Sequence, residues 1–453
     1  MTHNSELSRR TFIKNTGAVF GGTLLSAGPF SALASRRSQN EKMKIALVGT
    51  GGRGSGMFGR QLLQDYGDYV EMAGICDRNP GRLRYAKRHM NFDGPAFTDL
   101  DEMLSRTKPD WLIIATWDWE HHNNLVTGLQ HGCHIICEKP LTIDEDKAEV
   151  ILEAEKKYNR SVLVTFNLRW PPSMAKVKEL LMNKVIGDIN TVDFHWNITR
   201  DHLAQYLRRW HGERKRGGTL WVHKSTHHFD LVNWWLDSDP VEVFAYSDLQ
   251  HFGPMGPFRG VNCRNCAHTT RCPYYWDITR SEHQTNLYVN NEHYDGYIRD
   301  NCVYRNQIDI YEKHSALVKY ANNAILNYSL TADTDHSGIW IAFNGTQGRL
   351  EGRVRGWPDK QGYQEWLLKP LGKEPESIIV PPREGGHWGG DSLMKDRLFK
   401  NPGAPDPMQQ SAGTRDGVMS MLIGVAARKS SESGKTVRIE NLTSLKPVSK
   451  RPE

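Results

Sequence analysis

The sequence lacks long apolar runs and a strong charge of one sign. No stretch after residue 34 is long and apolar enough to span a bilayer as a helix. The formal net charge is +6, and residues 1–34 contribute +2 of it through Arg9, Arg10, Lys14 and Glu6. The remaining +4 is too small for the electrostatic footprint of a nucleic-acid-binding protein. We therefore expect neither an integral membrane protein nor a nucleic-acid partner.

Cysteine is also scarce, with seven residues. Three of them, Cys76, Cys133 and Cys137, lie in or beside apolar runs and are expected to be buried and inert. The other four lie in a Gly-, Asn- and Pro-rich insertion at about residues 253–302: Cys263, Cys266, Cys272 and Cys302. Two of these have C-x-x-C spacing, and four thiols suit tetrahedral structural zinc. Disulfides are the alternative if the protein reaches an oxidising compartment.

The N-terminal segment has the pattern of an export signal. Paired arginines, Arg9 and Arg10, precede a mildly apolar segment that ends in the small-residue pattern Ala32-Leu33-Ala34. We predict a twin-arginine signal over residues 1–34 and a polar linker over residues 35–42, with an ordinary amphipathic helix as the alternative. Because such a signal directs export, the mature protein is expected to be periplasmic or exported. The pathway carries folded proteins, which suits a protein that must acquire its nucleotide in the cytoplasm.

A glycine-rich turn organises the next part of the chain. The apolar run Lys44–Val48 predicts a buried strand, and glycines follow it in the pattern Gly49-x-Gly51-x-x-Gly54, before a predicted helix. Gly49 allows the tight turn, Gly51 lets a pyrophosphate approach the backbone, and Gly54 lets the helix pack on its strand. The phosphates would lie at the positive helix N-terminus. This order of elements predicts a dinucleotide site.

The acid after the second strand bears on the choice of dinucleotide. The apolar run Val70–Cys76 ends at Asp77, a carboxylate placed to bind a ribose 2′-hydroxyl. Because a carboxylate repels a 2′-phosphate, NAD is favoured. The neighbouring Arg78 leaves NADP open.

Alternating strands and helices predict a parallel, doubly wound sheet over residues 43–166. The predicted strands are Lys44–Val48, Val70–Cys76, a short piece near Phe97, Trp111–Thr116, His134–Cys137 and Val162–Phe166; the predicted helices include Asp99–Arg106, His122–His131 and Asp144–Tyr158. Ligands bind such sheets beyond the carboxyl ends of the strands. The glycine turn, the Thr116–His122 loop and Glu138-Lys139-Pro140 should therefore meet at one crevice.

Together these motifs resemble the glucose-fructose oxidoreductase / inositol dehydrogenase (Gfo/Idh/MocA) family. The resemblance continues through Arg169-Trp170, Gly217-Gly218-Thr219, His227 and Asp230. It implies a C-terminal α/β domain over residues 167–453 with an open, largely antiparallel sheet, homo-oligomers, and hydride exchange between a nicotinamide and a carbohydrate or cyclitol hydroxyl. The implied cofactor-binding residues are Gly49, Gly51, Gly52, Arg53, Gly54, Asp77, Arg78, Thr116, His121, Glu138 and Lys139.

Two side chains are predicted to carry the chemistry. Lys139 can orient the reacting hydroxyl and polarise the nascent carbonyl, and an imidazole at His227, which matches the family histidine, has a pKa suited to proton transfer. The sequence departs from the family at His223, where an aspartate is usual. The i, i+4 spacing of these two histidines would permit a metal pair with His121 or His122, but we favour a pair of hydrogen-bonded cleft histidines.

Further residues are predicted to contact the substrate. The stretch 197–210 is rich in aromatic and guanidinium groups, which stack on sugar rings and bind hydroxyls or carboxylates; a helix packing its aromatic side chains into the core is the alternative. The glycine-rich segment 385–391 could bring His387 or Asp391 to the cleft. The full substrate-binding set is His223, Arg169, Trp170, Arg200, His228 and Asp391.

Three functions remain open at this stage. Because an exported enzyme would have to regenerate its nucleotide in place, we expect an NAD(P)-dependent oxidoreductase with a tightly bound cofactor that acts on a sugar, glycoside or cyclitol. A redox-neutral NAD-dependent glycosidase is the alternative, although such enzymes usually alter the intact Glu138-Lys139-Pro140 element. A non-catalytic sugar-binding protein is the third, based on the histidine at position 223.

Overall fold

The structure is a computed structural model that describes residues 41–355, 364–381 and 383–452. The predicted signal at residues 1–34, and residues 35–40 of the predicted linker, lie outside the described residues. In the described part of the chain, no helix has the length and apolarity needed to cross a membrane.

The N-terminal domain is built on a parallel sheet, as predicted. Its six described strands are ordered β3-β2-β1-β4-β5-β6, and each neighbouring pair is parallel. The strands are β1 (Met43–Val48), β2 (Val70–Cys76), β3 (Ala96–Phe97), β4 (Trp111–Ile114), β5 (His134–Cys137) and β6 (Val162–Val164). Strands β4 and β6 end two residues earlier than predicted. After β4 the chain leaves the sheet, and Ala115 and Thr116 line the crevice at its carboxyl edge.

Helices cover both faces of this sheet, and the aspartates at which two of the predicted helices begin are the caps of those helices. The Asp99 side chain accepts a hydrogen bond from the Glu102 amide, and Asp144 accepts one from the Lys147 amide; such caps satisfy amides that have no partner within the helix. The helices are α1 (a π-helical start, Gly54–Gln61, continuing as Leu62–Tyr66), α2 (Pro80–Met90), α3 (Leu100–Thr107), α4 (His121–Gln130) and α5 (Glu145–Tyr158).

The C-terminal domain contains a nine-stranded sheet in its described residues, ordered β14-β13-β12-β11-β7-β10-β9-β8-β15. Among these strands, β7 and β10 form a parallel pair and the other neighbours are antiparallel, which confirms the largely antiparallel prediction. The strands are β7 (Ile189–Thr199), β8 (Pro240–Asp248), β9 (Lys313–Tyr320), β10 (Ile325–Thr334), β11 (Gly338–Gly345), β12 (Gly348–Arg355), β13 (Gln364–Pro370), β14 (Glu376–Val380) and β15 (Val437–Arg438).

Helices cover one face of the second sheet and join it to the first domain. The long helix α13 is buried through most of its length between strand β8 and helix α10. The helices of this domain are α6 (Pro172–Met182), α7 (Arg200–Arg208), α8 (Arg214–Gly217), α9 (Leu220–His223), α10 (Thr226–Leu236), α11 (Glu282–Leu287), α12 (Gly390–Lys395, continuing as the π-helix Asp396–Lys400) and α13 (Thr414–Ser433).

The cysteine-rich insertion occupies residues 249–312, between the paired strands β8 and β9. This insertion belongs to the C-terminal domain by sequence but contacts the N-terminal domain. The Asn79 side chain donates to the Asn291 carbonyl, and Arg82 bonds Asp295. The insertion therefore lies against the nucleotide-binding domain across the crevice, a position that the sequence does not reveal.

Candidate active site

One cavity of about 550 Å³ lies between the two domains. Its first wall is the carboxyl edge of the parallel sheet, which carries the glycine turn, the Thr116 loop and Glu138-Lys139. Its second wall comes from helices α7, α9 and α10 and from the insertion. A volume in this range is usual for a small-molecule or cofactor site.

The glycine turn has the geometry that a dinucleotide needs. A Cβ at Gly49 would lie 2.5 Å from the Ala115 carbonyl oxygen, and one at Gly54 would lie 1.8 Å from the Gly49 oxygen, so both positions exclude a side chain. At Gly51 and Gly52, by contrast, a Cβ would meet only the Tyr288 hydroxyl, at 3.4 Å. The tight positions shape the turn and the open ones face the cavity, which fits a pyrophosphate against the backbone.

Asp77 lines the cavity at the end of β2, as predicted, but its carboxylate is also held by the protein. The Thr50 amide donates to Oδ2 at 2.8 Å, and the Asn79 amide to Oδ1 at 2.9 Å. Arg82 lies 3.2 Å away and also bonds Asp295 of the insertion. Arg78 stacks on Trp117, 3.8 Å from the ring centroid. The acid is thus fixed in place, while the Arg78 guanidinium is engaged with an aromatic face.

Lys139 lies where the two walls meet. Its Nζ donates to the His223 carbonyl at 3.1 Å, while the preceding Glu138 is paired with Arg53 at 2.8 Å. Burial lowers the pKa of Lys139, and the charges of Asp118 and Glu138 oppose that shift. The ammonium is therefore positioned across the domain boundary, beside the histidines of the second wall.

His223, which stands where the family usually has an aspartate, contacts an aspartate from another part of the chain. Asp118, in the loop after β4, has its Oδ2 2.6 Å from Nδ1 of His223. Burial raises the pKa of Asp118 and lowers the pKa of His223. Both side chains are buried, so this contact joins the two domains through a hydrogen bond that water does not weaken.

His227 lines the same cavity and is close enough to Lys139 for the lysine charge to affect its pKa. Burial, followed by the charges of Lys139 and Lys224, lowers the pKa of His227 well below its ordinary value. This differs from the predicted near-neutral pKa, since the sequence does not show how deeply the imidazole is buried. Its Nδ1 is buried and has no hydrogen-bond partner among the described residues. A neutral imidazole with a free nitrogen can accept a proton.

The histidines do not form a metal site. His223 ends helix α9 and His227 lies in α10, so they do not share one helix face. His121 directs its nitrogens to the Pro140 and Thr116 carbonyls, at 2.8 and 3.3 Å, and so holds two cavity loops together. Among the described residues, no three His, Cys, Asp or Glu side chains are placed to hold a metal ion.

The same finding applies to the cysteine-rich insertion. Cys263, Cys266, Cys272 and Cys302 are free thiols, although they lie near one another. Burial raises the pKa of Cys263 and of Cys272. The structure supports neither the zinc nor the disulfide prediction for these residues.

One residue of the second wall, Lys224, was not predicted from the sequence, whereas Arg209 belongs to the stretch 197–210 that was predicted to contact the substrate. Lys224 is 8% exposed, lines the cavity, and lies 4.3 Å from the centroid of the Trp196 ring. Burial, then the charge of Lys139, lowers the pKa of Lys224 to about 7. Arg209 also reaches the cavity, and burial followed by the charge of Arg299 lowers its pKa to about 10. Apart from its place beside His223, Lys224 has no local sequence signal.

The insertion contributes to the cavity as well. Its Tyr288 hydroxyl accepts a hydrogen bond from the Gly52 amide at 2.8 Å, at the turn predicted to hold a pyrophosphate. Arg299 also lines this side of the cavity, and its guanidinium lies 4.9 Å from the centroid of the Tyr288 ring. We call residues 281–299 the strap, because Tyr288, Tyr297 and Arg299 line the cavity and Tyr288 contacts the glycine turn.

Several predicted substrate-binding residues lie outside the cavity lining. Arg169 is buried in ion pairs with Asp230 at 2.6 Å and Asp416 at 2.8 Å, which indicates a structural role. Trp170 packs beside the core of the first domain. Arg200 is exposed and paired with Asp333.

Two others lie next to the site. His228 is buried under the sheet, with its Nδ1 2.7 Å from the Tyr328 hydroxyl. Asp391 bonds the cavity residues Asn167 and His387, at 2.6 and 2.9 Å. Burial favours its neutral form, but the His387 hydrogen bond and the Arg53 charge hold the pKa of Asp391 below its ordinary value. Asp391 can therefore position cavity side chains rather than contact the substrate itself.

Comparison with known proteins shows the family to which both domains belong. Residues 43–166 match the Gfo/Idh/MocA family described as "Oxidoreductase family, NAD-binding Rossmann fold", and residues 178–439 match its "C-terminal alpha/beta domain". A Bacillus subtilis protein named "Putative oxidoreductase YteT" is 33% identical over 437 residues, covering 89% of this chain and 99% of that protein. An inositol 2-dehydrogenase/D-chiro-inositol 3-dehydrogenase of Lactiplantibacillus plantarum is 23% identical over 209 residues, 46% of this chain and 56% of that protein.

A solved structure extends the similarity to the whole fold. Levoglucosan dehydrogenase, in complex with NADH and levoglucosan, superposes with a TM-score of 0.64 at 16% identity, covering 88% of this chain and 100% of that one. The two family matches together span most of the sequence, and they meet at the cavity that holds Lys139 and His227. The chain belongs to the Gfo/Idh/MocA family of NAD-binding oxidoreductases.

Proposed function

We propose that the protein exchanges a hydride between a tightly held NAD and a secondary hydroxyl of a sugar, glycoside or cyclitol. The observation that carries this proposal is the convergence of Lys139, His227 and the Asp118–His223 pair on the cavity beside the glycine turn. Family relatives named as inositol dehydrogenases support a polyhydroxylated substrate.

The chain's own residues would handle the proton and the growing charge on oxygen. Bound NAD supplies the hydride acceptor. The Lys139 ammonium would orient the hydroxyl and stabilise the oxygen as it becomes a carbonyl. The neutral imidazole of His227 would take the hydroxyl proton. Asp118 and His223 would keep the Lys139 Nζ in position through the His223 carbonyl.

The strap supports tight retention of the nucleotide. Tyr288 contacts the glycine turn, and Asp295 bonds Arg82, which in turn bonds Asp77. A nucleotide leaving the site would have to pass these contacts. The carboxylate at Asp77 favours NAD over NADP, because a 2′-phosphate would be repelled.

A single experiment tests the activity. The protein is purified without added nucleotide, and its absorbance at about 340 nm is followed as sugars, glycosides and inositols are added. An increase, with a keto product found by mass spectrometry, is expected. A protein without nucleotide and without affinity for any would contradict the proposal. Release of phenol from aryl glycosides with no added acceptor would instead indicate the redox-neutral glycosidase.

We also propose that the protein acts after export by the twin-arginine route, based on Arg9 and Arg10. Cell fractionation of the full chain and of the Arg9→Lys/Arg10→Lys variant would test this. The variant is expected to stay in the cytoplasm, and equal export of both chains would contradict the proposal.

For assembly, we propose that the open face of the second sheet pairs with another copy. Tyr246, Leu317 and Ile325 lie on that face and are 67%, 51% and 42% exposed. Leu317→Glu should lower the oligomer mass measured by light scattering. A monomeric wild-type protein would contradict this.

A further inference from the structure

The second wall of the cavity carries a buried lysine that no acidic side chain of the described residues pairs with. Lys224 is more than nine-tenths buried and faces the cavity. Within the described residues, no carboxylate forms a hydrogen bond or ion pair with it. Its ammonium instead makes a cation–π contact with the Trp196 ring. Charged groups in such surroundings are normally paired, because burying them alone costs free energy.

Among the described residues, none of the four acids that line the cavity is paired with Lys224. Asp77 is paired with Arg82, Asp118 with His223, and Glu138 with Arg53. The fourth acid, Glu120, lines the cavity but forms no hydrogen bond or ion pair with Lys224. The charge that acts on Lys224 is that of Lys139, and burial keeps the neighbouring His227 neutral.

We propose that the substrate is an acidic sugar, such as a uronic acid or its glycoside, and that Lys224 binds its carboxylate beside the reacting carbon. This inference rests on the proposed function and adds the chemical class of the substrate. One ammonium beside neutral imidazoles matches a single negative charge. A phosphate carries more charge and is usually bound by several donors, such as arginines and backbone amides. Arg209 and Arg299 also line the cavity, but they lie towards the strap, where their charges act on each other, and the charge that acts on Lys224 is that of Lys139.

The test compares matched neutral and acidic substrates on the nucleotide-loaded protein. Reduction of the bound nucleotide is measured with methyl glucoside, methyl glucuronide and glucose 6-phosphate, and binding of each is measured by calorimetry. We expect kcat/KM for the glucuronide to exceed that for the glucoside by about 10- to 150-fold, the range for a hydrogen bond to a charged group. Lys224→Met should bring this ratio close to one, while Lys224→Arg should retain most of it.

The control is Lys184→Met, a change at an exposed lysine paired with Asp188, which should leave the ratio unchanged. Equal kcat/KM and equal affinity for the neutral and acidic glycosides would overturn the inference, as would tighter binding of the phosphate. If the glucuronide binds through Lys224 but no substrate reduces the nucleotide, the acidic class stands and the proposed oxidoreductase activity fails. If Lys224→Met does not fold, the wild-type ratio and Lys224→Arg decide.

Discussion

The two walls of the cavity handle charge differently. On the first wall, Asp77 and Glu138 are each paired with an arginine, and the glycine turn is shaped by backbone contacts. On the second, Lys224 has no acid and the Nδ1 of His227 has no partner among the described residues. The first wall is organised to hold a ligand in one position, whereas the second keeps polar groups available for a ligand to satisfy.

This contrast agrees with a division of labour between cofactor and substrate. A dinucleotide that stays bound requires a wall that is complete before binding, since preorganised groups lose little entropy. Groups that move protons need altered pKa values, and burial provides them on the second wall. Lys139 and Asp118 lie on the first wall but contact His223 on the second. Substitutions at these two residues therefore test the connection between the walls most directly.

Removing Lys139 should have the largest effect. Lys139→Met is expected to lower the rate of nucleotide reduction by about 10²- to 10⁴-fold, because the ammonium that orients the hydroxyl is lost. Nucleotide content, measured by absorbance after denaturation, should not change. Lys184→Met serves as the matched control. If Lys139→Met retained the wild-type rate, Lys139 would have no part in the reaction.

Acid should destabilise the second domain before the first. Burial lowers the pKa of His202 and of His314 to about 3, and it also lowers the pKa of His211, His223 and His227 well below the ordinary value. Below about pH 6.5 the unfolded chain therefore binds protons that the folded chain does not. Stability is complete above that pH and should fall as the pH drops, by about 1.4 kcal/mol per pH unit for each such histidine.

Urea unfolding monitored by hydrogen exchange at pH 7 and pH 5.5 would measure this loss. Helix α10 should lose protection before strands β1 and β4. His314→Phe, which removes a buried imidazole outside the cavity lining, should reduce the pH slope by about one histidine's share. Equal loss of protection in both domains would remove the distinction between the walls.

Breaking the Asp118–His223 contact should have an intermediate effect. Asp118→Asn keeps the shape but removes the ionisable carboxyl group, and we expect kcat to fall by about 10- to 100-fold, within the range for a hydrogen bond to a charged group. The pH–rate profile should shift as well, which a purely structural defect would not cause. In a double-mutant cycle with His223→Asn, the losses should not add, because both changes break one contact. Additive losses would contradict the link.

Loosening the strap should have the smallest effect. Tyr288→Phe removes the hydroxyl that the Gly52 amide contacts, so the bound nucleotide should leave about 2- to 13-fold faster, which corresponds to one hydrogen bond of ordinary strength. Loss of NADH fluorescence after dilution into excess competitor would measure it. The control is Tyr246→Phe, on the exposed sheet face. No difference between the two variants would show that the strap does not retain the nucleotide.

Much of the first wall was predictable because its information is local. The turn at Gly49, the strand Val70–Cys76 and the acid Asp77 follow from spacing within a few dozen residues, since a parallel sheet brings successive strand ends to one edge. The caps at Asp99 and Asp144 are local in the same sense. The family resemblance extended this to Lys139 and His227, both of which line the cavity.

The sequence by itself therefore determined the fold class, the dinucleotide turn and the two candidate catalytic side chains. The tertiary structure alone decided that Asp118, 105 residues away, serves His223, that Tyr288, 236 residues away, meets Gly52, and that Lys224 is buried without an acid. It also placed Arg169 in a structural ion pair and left the four cysteines without a metal set among the described residues. The physical reason is that burial and long-range pairing set charge and pKa, and neither can be read from the spacing of residues along the chain.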